Sequence, residues 1–313
     1  MRLKLQPWEK YNIKFIVVSA FECSLTLTSN CNVNGLRCKI YTHIQVFVIY
    51  LDIYYMFMNR MILEFLGALT EAGHRIFSTE DACIVAMDMG MGIQKKSVHY
   101  LMRSLSAKSL IYPVYKGNYA IADHILSGSP IHRFEIAMHL CKDGAIACWS
   151  AMSFYELTDQ VLSTIYILAP KIDEKKRSLY RYQINGYTYV IIQTQQEHFW
   201  GVKKERMGET KVAITDLERT LIDGLIRPNY CGGFREVLDA FAIAKERIDQ
   251  ARLIDYGKRC SIAAQKRLGW VLNQLSFENL DLPIPSRNYF DKLDPAGPRR
   301  GKQNTQWMVL ENF

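Results

Sequence analysis

Apolar residues recur at helical spacing in the first part of the chain that shows a clear pattern. The segment MILEFLGALTEA predicts an amphipathic helix whose apolar positions are Ile62, Leu63, Phe65, Leu66 and Leu69. A second helix is predicted to open at Ser78, because its hydroxyl can accept from a free backbone N–H. Asp81, three residues later, favours the same start near the positive end of the helix dipole.

A third helix and a hairpin follow. In GIQKKSVHYLMRSL the apolar stripe is formed by Val98, Leu101, Met102 and Leu105. The residues outside that stripe are Lys95, Lys96, His99, Tyr100 and Arg103. LIYPVYKGNYAIA then reads as two Tyr-rich strands joined through Lys116, Gly117 and Asn118, where Gly and Asn tolerate the positive φ of a tight turn.

The charge of this region points to nucleic acid. No Asp or Glu occurs from Met89 to Ala122, and the order of helices and hairpin is typical of a winged helix-turn-helix domain, here residues 58–124. The predicted DNA contacts are Lys95, Lys96, His99, Tyr100, Arg103, Lys108, Lys116 and Asn118. Lys96, Tyr100 and Arg103 should lie nearest the bases, and Lys95 and Lys116 nearer phosphate. The alternative is a small helical domain with a solvated basic face.

The second half of the chain predicts an α+β domain, residues 130–313, beyond a turn-rich linker from Asp123 to Pro130. Asn185-Gly186 between Tyr-rich runs signals a hairpin within a sheet-forming section. Helices return at ITDLERTLIDGLI, where Thr215 and Glu218 suggest a capping box, and at three later segments. The closing TQWMVLENF predicts a terminal strand.

Bulk composition limits the classes of function. The 313 residues carry a formal net charge of +8, which supports a local nucleic-acid contact and does not require a chain that coats nucleic acid throughout. The eight cysteines include no C-x-x-C pair, so free thiols in a reducing cytoplasm are expected. No cofactor or metal site is predicted.

Residues 1–57 lack a periodic pattern that joins the downstream helices. Their apolar run QVFVIYLDIYYMFM is short for a transmembrane helix and is interrupted by Asp52. We therefore expect a non-native or disordered extension, with the native start at Met58 or Met61. The alternative is a membrane-associated extension.

Three carboxylates in one predicted helix raise the question of catalysis. Asp216, Glu218 and Asp223 resemble metal ligands in composition, but Glu218 and Asp223 are five residues apart and point to different faces. Capping and solvent exposure explain them more simply. His132 and His139 form a same-face pair that is more typical of structure than of zinc binding. The sequence therefore predicts a binding protein and no enzyme.

With these residues in view, the chain resembles AbiEi-type abortive-infection antitoxins over about residues 61–313. The resemblance rests on the basic third helix with the YKGNYAIA hairpin, on HLCKDGAIACWSAMSFYELT, and on VAITDLERTLIDGLIRPNYCGG. It implies a cytoplasmic type IV antitoxin that represses its own operon at inverted repeats in duplex DNA. It also implies that the C-terminal domain counteracts a nucleotidyltransferase-like toxin without capturing it tightly. The alternatives are a stand-alone winged-helix regulator and a metal-dependent nuclease or nucleotidyltransferase.

Overall fold

The computed structural model describes residues 35–91, 95–126, 128–171, 179–208, 210–278, 280–282 and 289–313. The chain divides into an N-terminal unit, Met1–Ser127, and a C-terminal unit, Gly128–Phe313. The division falls within the turn-rich stretch that the sequence suggests as a linker. Both helices and strands are present in each unit, so the protein is mixed α and β.

Three helices and a three-stranded antiparallel sheet make up the described part of the N-terminal unit. The elements are α1 (Gly35–Glu71), β1 (Ile76–Ser78), α2 (Thr79–Asp88), α3 (Lys95–Ala107), β2 (Ile111–Tyr115) and β3 (Asn118–Ile121), and the strand order is β1-β3-β2. Strand β3 lies between β1 and β2 and pairs with both.

Helix α1 begins earlier than the sequence pattern indicates. It starts at Gly35, so residues 35–57 are helical, whereas residues 1–34 lie outside the described part of the chain. That residues 1–57 are a non-native or disordered extension stays a prediction. Among the α1 side chains that the structure describes, the buried positions start at Met61. The periodicity places Leu63 on the buried face, but Leu63 is 57% exposed. The buried face of α1 consists of Ile62, Phe65, Leu66 and Leu69.

The core of the N-terminal unit forms where the three helices meet the sheet. Val98, Met102 and Leu105 of α3 are fully buried, and Leu101 is partly buried against them. Phe65 and Phe77 are also fully buried. Each such side chain contributes about 1.5 to 3 kcal/mol when it leaves water, so the apolar stripe of α3 fixes which face of that helix remains outside.

The C-terminal unit is built on a six-stranded mixed sheet with the order β6-β7-β5-β4-β9-β8. Its strands are β4 (Ala145–Ile146), β5 (Thr164–Pro170), β6 (Leu179–Ile184), β7 (Tyr187–Thr194), β8 (Val202–Met207) and β9 (Thr210–Thr215). The β5–β7 and β4–β9 pairs are parallel and the remaining pairs are antiparallel. The predicted hairpin is confirmed, since Asn185 and Gly186 take positive φ between β6 and β7.

Helices cover this sheet. They are α4 (Arg133–Leu140), α5 (Cys148–Phe154), α6 (Leu217–Ile226), α7 (Phe234–Ala244), α8 (Gln250–Lys258) and α9 (Ile262–Gln274). Residues of α5 to α9 share one apolar cluster with Leu168, Val190 and Ile192 of the sheet, and α4 contacts β5 and β9. The partly buried aromatic residues packed against that cluster include Trp149, Tyr155, Phe199 and Trp200.

A second, three-stranded sheet is formed by the last described segment, residues 289–313. Its strands β10 (Asp291–Lys292), β11 (Lys302–Asn304) and β12 (Val309–Glu311) have the order β10-β12-β11, and β12 is the predicted terminal strand. Trp307 precedes it and is 5% exposed. A Cβ on Gly269 of α9 would lie 2.2 Å from the Trp307 ring, so glycine permits this close approach.

The cap of α6 differs from the prediction. Thr215 is the buried last residue of β9, and the cap is Asp216, whose Oδ1 accepts from the Arg219 N–H at 2.8 Å. The Glu218 carboxylate does not accept from the backbone N–H of the cap residue as a capping box would require. Its Oε1 accepts from the Asp249 N–H at 2.9 Å, because the start of α8 packs beside α6.

Candidate nucleic-acid interface

The outer face of α3 carries exposed polar side chains. His99, Tyr100 and Arg103 are all exposed, and Tyr100 retains 73% of its surface. Arg103 lies three residues after Tyr100 and four after His99, so the three share one side of the helix. Lys95 and Lys96 belong to the first turn of α3, and their side chains lie outside the described residues.

The hairpin turn presents one further cation. Lys116 and Gly117 form a two-residue turn with φ of +35° and +79° between the paired residues Tyr115 and Asn118. The Lys116 side chain is exposed, with Nζ 5.1 Å from the centre of the Tyr115 ring. A hydrogen bond with Tyr115 raises the pKa of Lys116, so the side chain is a cation at neutral pH.

Asn118 has a structural part in this turn. The sequence suggested that Asn118 supplies positive φ, but the two positive φ values belong to Lys116 and Gly117. The Asn118 Nδ2 group donates to the Tyr115 carbonyl at 2.8 Å. The amide therefore closes the turn that carries Lys116.

The turn is also anchored to α2 through Thr79. The backbone N–H and the Oγ1 hydroxyl of Thr79 both donate to the Gly117 carbonyl, each at 2.9 Å, and Thr79 is buried. The predicted cap beside it is confirmed as a capping box, because Ser78 Oγ accepts from the Asp81 N–H at 3.1 Å and Asp81 accepts from the Ser78 N–H at 2.7 Å. The contact between Thr79 and Gly117 joins residues 38 positions apart, so no local sequence pattern predicts it.

Lys108 differs from the other predicted contacts. Its Nζ donates to Asn59 Oδ1 at 2.9 Å and lies 5.3 Å from the centre of the Tyr55 ring. Both partners are on α1. The side chain is therefore directed to α1 instead of extending the exposed face formed by His99, Tyr100 and Arg103.

The carboxylates considered for catalysis have separate structural partners in the C-terminal unit. Asp216 caps α6 and accepts from the Tyr256 hydroxyl at 2.8 Å. Glu218 and Asp223 are 3% and 0% exposed, so solvent exposure was the wrong explanation for them. Among the described residues, no group of three or more His, Cys, Asp or Glu is placed to hold a metal ion.

Asp223 belongs to a buried charged network on α6. Its Oδ1 lies 3.1 Å from Arg219 Nη2 and 3.4 Å from Arg227 Nη1. Arg219 also donates to the His198 carbonyl at 3.0 Å, and its guanidinium stacks 3.8 Å from the centre of the Trp200 ring. The network connects α6 to the segment between β7 and β8.

The described cysteines are free thiols, as the sequence predicted. Cys148 and Cys231 are buried, and burial raises the pKa of the Cys231 thiol. Burial also raises the pKa of Cys260 to about 11. A raised thiol pKa lowers the population of the nucleophilic thiolate.

The His132 and His139 pair does not share a helical face. His132 is the N-cap of α4, and its Nδ1 accepts from the Phe134 N–H at 3.2 Å.

Of the helices in the described part of the chain, α1 included, none has the length and apolarity that a bilayer crossing requires.

Comparison with known proteins gives a fold relative. No protein-family model matches the chain, and no curated protein is significantly similar to it in sequence. Among solved structures, the fold is similar to that of the Rv2827c protein from Mycobacterium tuberculosis, with a TM-score of 0.56 and 14% identity. The similarity covers 79% of this chain and 89% of that chain. At this identity, what the two proteins share is the fold.

Proposed function

We propose that the N-terminal unit binds duplex DNA as a winged helix-turn-helix domain and that the protein is a transcriptional repressor. The observation that carries the proposal is the exposed face of His99, Tyr100 and Arg103 on α3, in the same unit as a hairpin turn that presents Lys116. A helix with an apolar inner face and a polar, cationic outer face suits the major groove, and a basic hairpin suits the adjacent backbone.

The absence of acidic residues strengthens the electrostatic part of the proposal. From Met89 to Ala122 the sequence carries five lysines and arginines and no Asp or Glu, so no carboxylate of this stretch opposes a phosphate. The anchor from Thr79 to Gly117 limits the positions open to the turn. A fixed cation loses less conformational entropy when it meets a phosphate than a mobile one does.

The resemblance to AbiEi-type antitoxins extends the proposal to the whole chain. The N-terminal unit represses the operon that encodes the protein at inverted repeats, and the C-terminal unit counteracts a nucleotidyltransferase-like toxin encoded beside it. The interaction with the toxin is functional and does not require a tight complex. A stand-alone winged-helix regulator is the alternative.

Fluorescence anisotropy with the full chain tests the DNA-binding proposal. The probes are the duplex upstream of the protein's own gene and a scrambled duplex of the same composition. Arg103→Ala should cost about 1 to 3 kcal/mol on the upstream duplex if Arg103 reads a guanine, with a smaller effect on the scrambled one. Lys116→Ala should weaken both duplexes alike and reduce the slope of log affinity against log salt by about 0.9.

Arg60→Ala is the matched control, because Arg60 is an exposed cation of the same unit that pairs with Glu64 on α1 at 2.9 Å. The affinity of the Arg60→Ala chain for each duplex should stay within about twofold of the wild-type affinity. Unchanged binding after both Arg103 and Lys116 are neutralised would contradict the proposed interface.

A promoter and toxicity assay tests the antitoxin role separately. The full chain with Arg103→Ala and Lys116→Ala should lose repression of its promoter but still protect cells from the neighbouring toxin supplied from an independent promoter. If repression is lost and wild type itself gives no protection, the stand-alone regulator is the better function.

A further inference from the structure

One face of the β6–β7–β5 end of the large sheet carries a polar groove of about 290 Å³. We call it the tyrosine–arginine groove, and its lining residues are Thr164, Tyr166, Arg181, Tyr182, Gln183, Thr188 and Val190. It lies in the C-terminal unit and is independent of the DNA-binding surface proposed above.

Strand register explains why six of these residues meet on one face; the seventh, Tyr182, lies between Arg181 and Gln183 on β6. Tyr166, Val190 and Arg181 form one row across three strands, and the neighbouring row is Thr164, Thr188 and Gln183. The two rows are two residues apart on every strand, so their side chains project from the same face of the sheet. Further along β5 and β7 that face is covered by the apolar cluster, which includes Leu168 and Ile192. The polar groove therefore begins where the helical cover ends.

The back of the groove is held in place by aromatic packing. Tyr166 is half-buried against the apolar cluster, and its ring centre lies 5.7 Å from that of Tyr230. At the edge, Gln183 Nε2 donates to Thr188 Oγ1 at 2.9 Å. These contacts order the lining without a ligand, which reduces the entropy lost when one binds.

The groove also holds a cation that forms no ion pair within the described part of the chain. Arg181 is exposed and takes part in none of the ion pairs formed by the described residues. It faces Tyr166, whose pKa is raised by burial and lowered in part by the Arg181 charge. The Tyr166 phenol therefore stays protonated at neutral pH and can donate a hydrogen bond beside the guanidinium.

Guanidinium and hydroxyl donors in one concave surface suit a phosphate group. The groove volume of about 290 Å³ is much larger than one phosphate group requires. It lies close to the lower end of the range for small-ligand sites, roughly 300 Å³. The Tyr166 ring adds a flat surface for a second, planar group. We propose that the tyrosine–arginine groove binds a phosphorylated ring compound of the size of a nucleoside monophosphate, with Arg181 on the phosphate.

Isothermal titration of the full chain with AMP, CMP, adenosine and inorganic phosphate tests the proposal. At least one of the two nucleotides should bind, and more tightly than adenosine or phosphate. Arg181→Gln should weaken nucleotide binding by about tenfold or more, because it removes a charge-assisted hydrogen bond. Tyr166→Phe keeps the ring and should weaken binding by a smaller factor.

Lys204→Gln provides the matched control, since Lys204 is an exposed cation on β8 at the opposite edge of the same sheet. It should leave nucleotide affinity unchanged. Circular dichroism should show that the Arg181→Gln chain is folded, because the side chain is exposed on an edge strand.

Four results would overturn the proposal. They are no binding of AMP or CMP at millimolar concentration, equal affinity in the Arg181→Gln chain, adenosine binding as tightly as AMP, and phosphate binding as tightly as AMP. A loss of duplex-DNA affinity in Arg181→Gln with no nucleotide binding would assign Arg181 to nucleic acid instead.

Discussion

Removing the carboxylate of Asp223 should destabilise the C-terminal unit strongly. Asp223 is 0% exposed, and the side chain of its partner Arg219 is 2% exposed. Arg219 Nε and Nη1 have no hydrogen-bond partner among the described residues, so the guanidinium depends on Asp223, the His198 carbonyl and the Trp200 ring. Asp223→Ala leaves a buried cation without its counter-charge, which costs about 3 to 5 kcal/mol.

Urea unfolding followed by tryptophan fluorescence measures this cost, since four of the five tryptophans lie in the C-terminal unit. With a slope of about 2 kcal/mol per molar urea, the midpoint should fall by about 1.5 to 2.5 M. Asp255→Ala is the control, because Asp255 forms the same type of i,i+4 pair with Arg259 at 2.7 Å but both side chains are more than half exposed.

The control should change the free energy of unfolding by less than about 0.5 kcal/mol. The double variant Arg219→Met with Asp223→Leu should recover part of the loss, because it removes both buried charges. A loss below about 1 kcal/mol in Asp223→Ala, or equal losses in Asp223→Ala and Asp255→Ala, would refute the reasoning.

Three further changes have defined outcomes. Ser78→Ala removes the side-chain acceptor of the α2 cap and should cost the N-terminal unit about 1 kcal/mol by urea unfolding with circular dichroism, whereas Ser78→Thr, which keeps a hydroxyl that can also donate to Asp81, should retain most of it. Gly269→Ala places a methyl group 2.2 Å from the Trp307 ring and should cost about 1 to 3 kcal/mol in the tryptophan-detected transition; no loss would contradict the close packing. Burial raises the pKa of Tyr155 to about 12, so its neutral phenol stabilises the fold below pH 10 and this contribution is lost as pH rises from about 10 to 12. Unfolding at pH 9.5 and 11.5 should show a smaller fall for Tyr155→Phe than for wild type, and equal falls would argue against the assignment.

Local patterns in the sequence predicted several elements correctly. The cap at Ser78 and the hairpin at Asn185-Gly186 depend on residues within three positions of one another. The stripe of Val98, Met102 and Leu105 is set by helical periodicity. These features follow from short-range geometry, which is present in the sequence itself.

The errors concern choices that short-range patterns leave open. Thr215 and Asp216 are both good capping residues, and the extent of β9 decides that Asp216 is the cap. Leu63 and Ile62 are adjacent and apolar, and packing of α1 against α2 and the rest of the core decides that Ile62 is buried. Periodicity predicts that a helix has an inner face, but its exact orientation depends on what packs against it.

For the candidate interface, the sequence determined the residue types: a helix with polar, cationic outer positions and a hairpin without acidic residues. The tertiary structure decided that Lys108 turns to α1 and that Thr79 holds the turn carrying Lys116. It also decided that Asp223 and Arg219 are buried together and that Tyr166 and Arg181 line one groove. These arrangements join residues brought together by packing and strand register, and the environment of a charge depends on those distant partners more than on its neighbours in the chain.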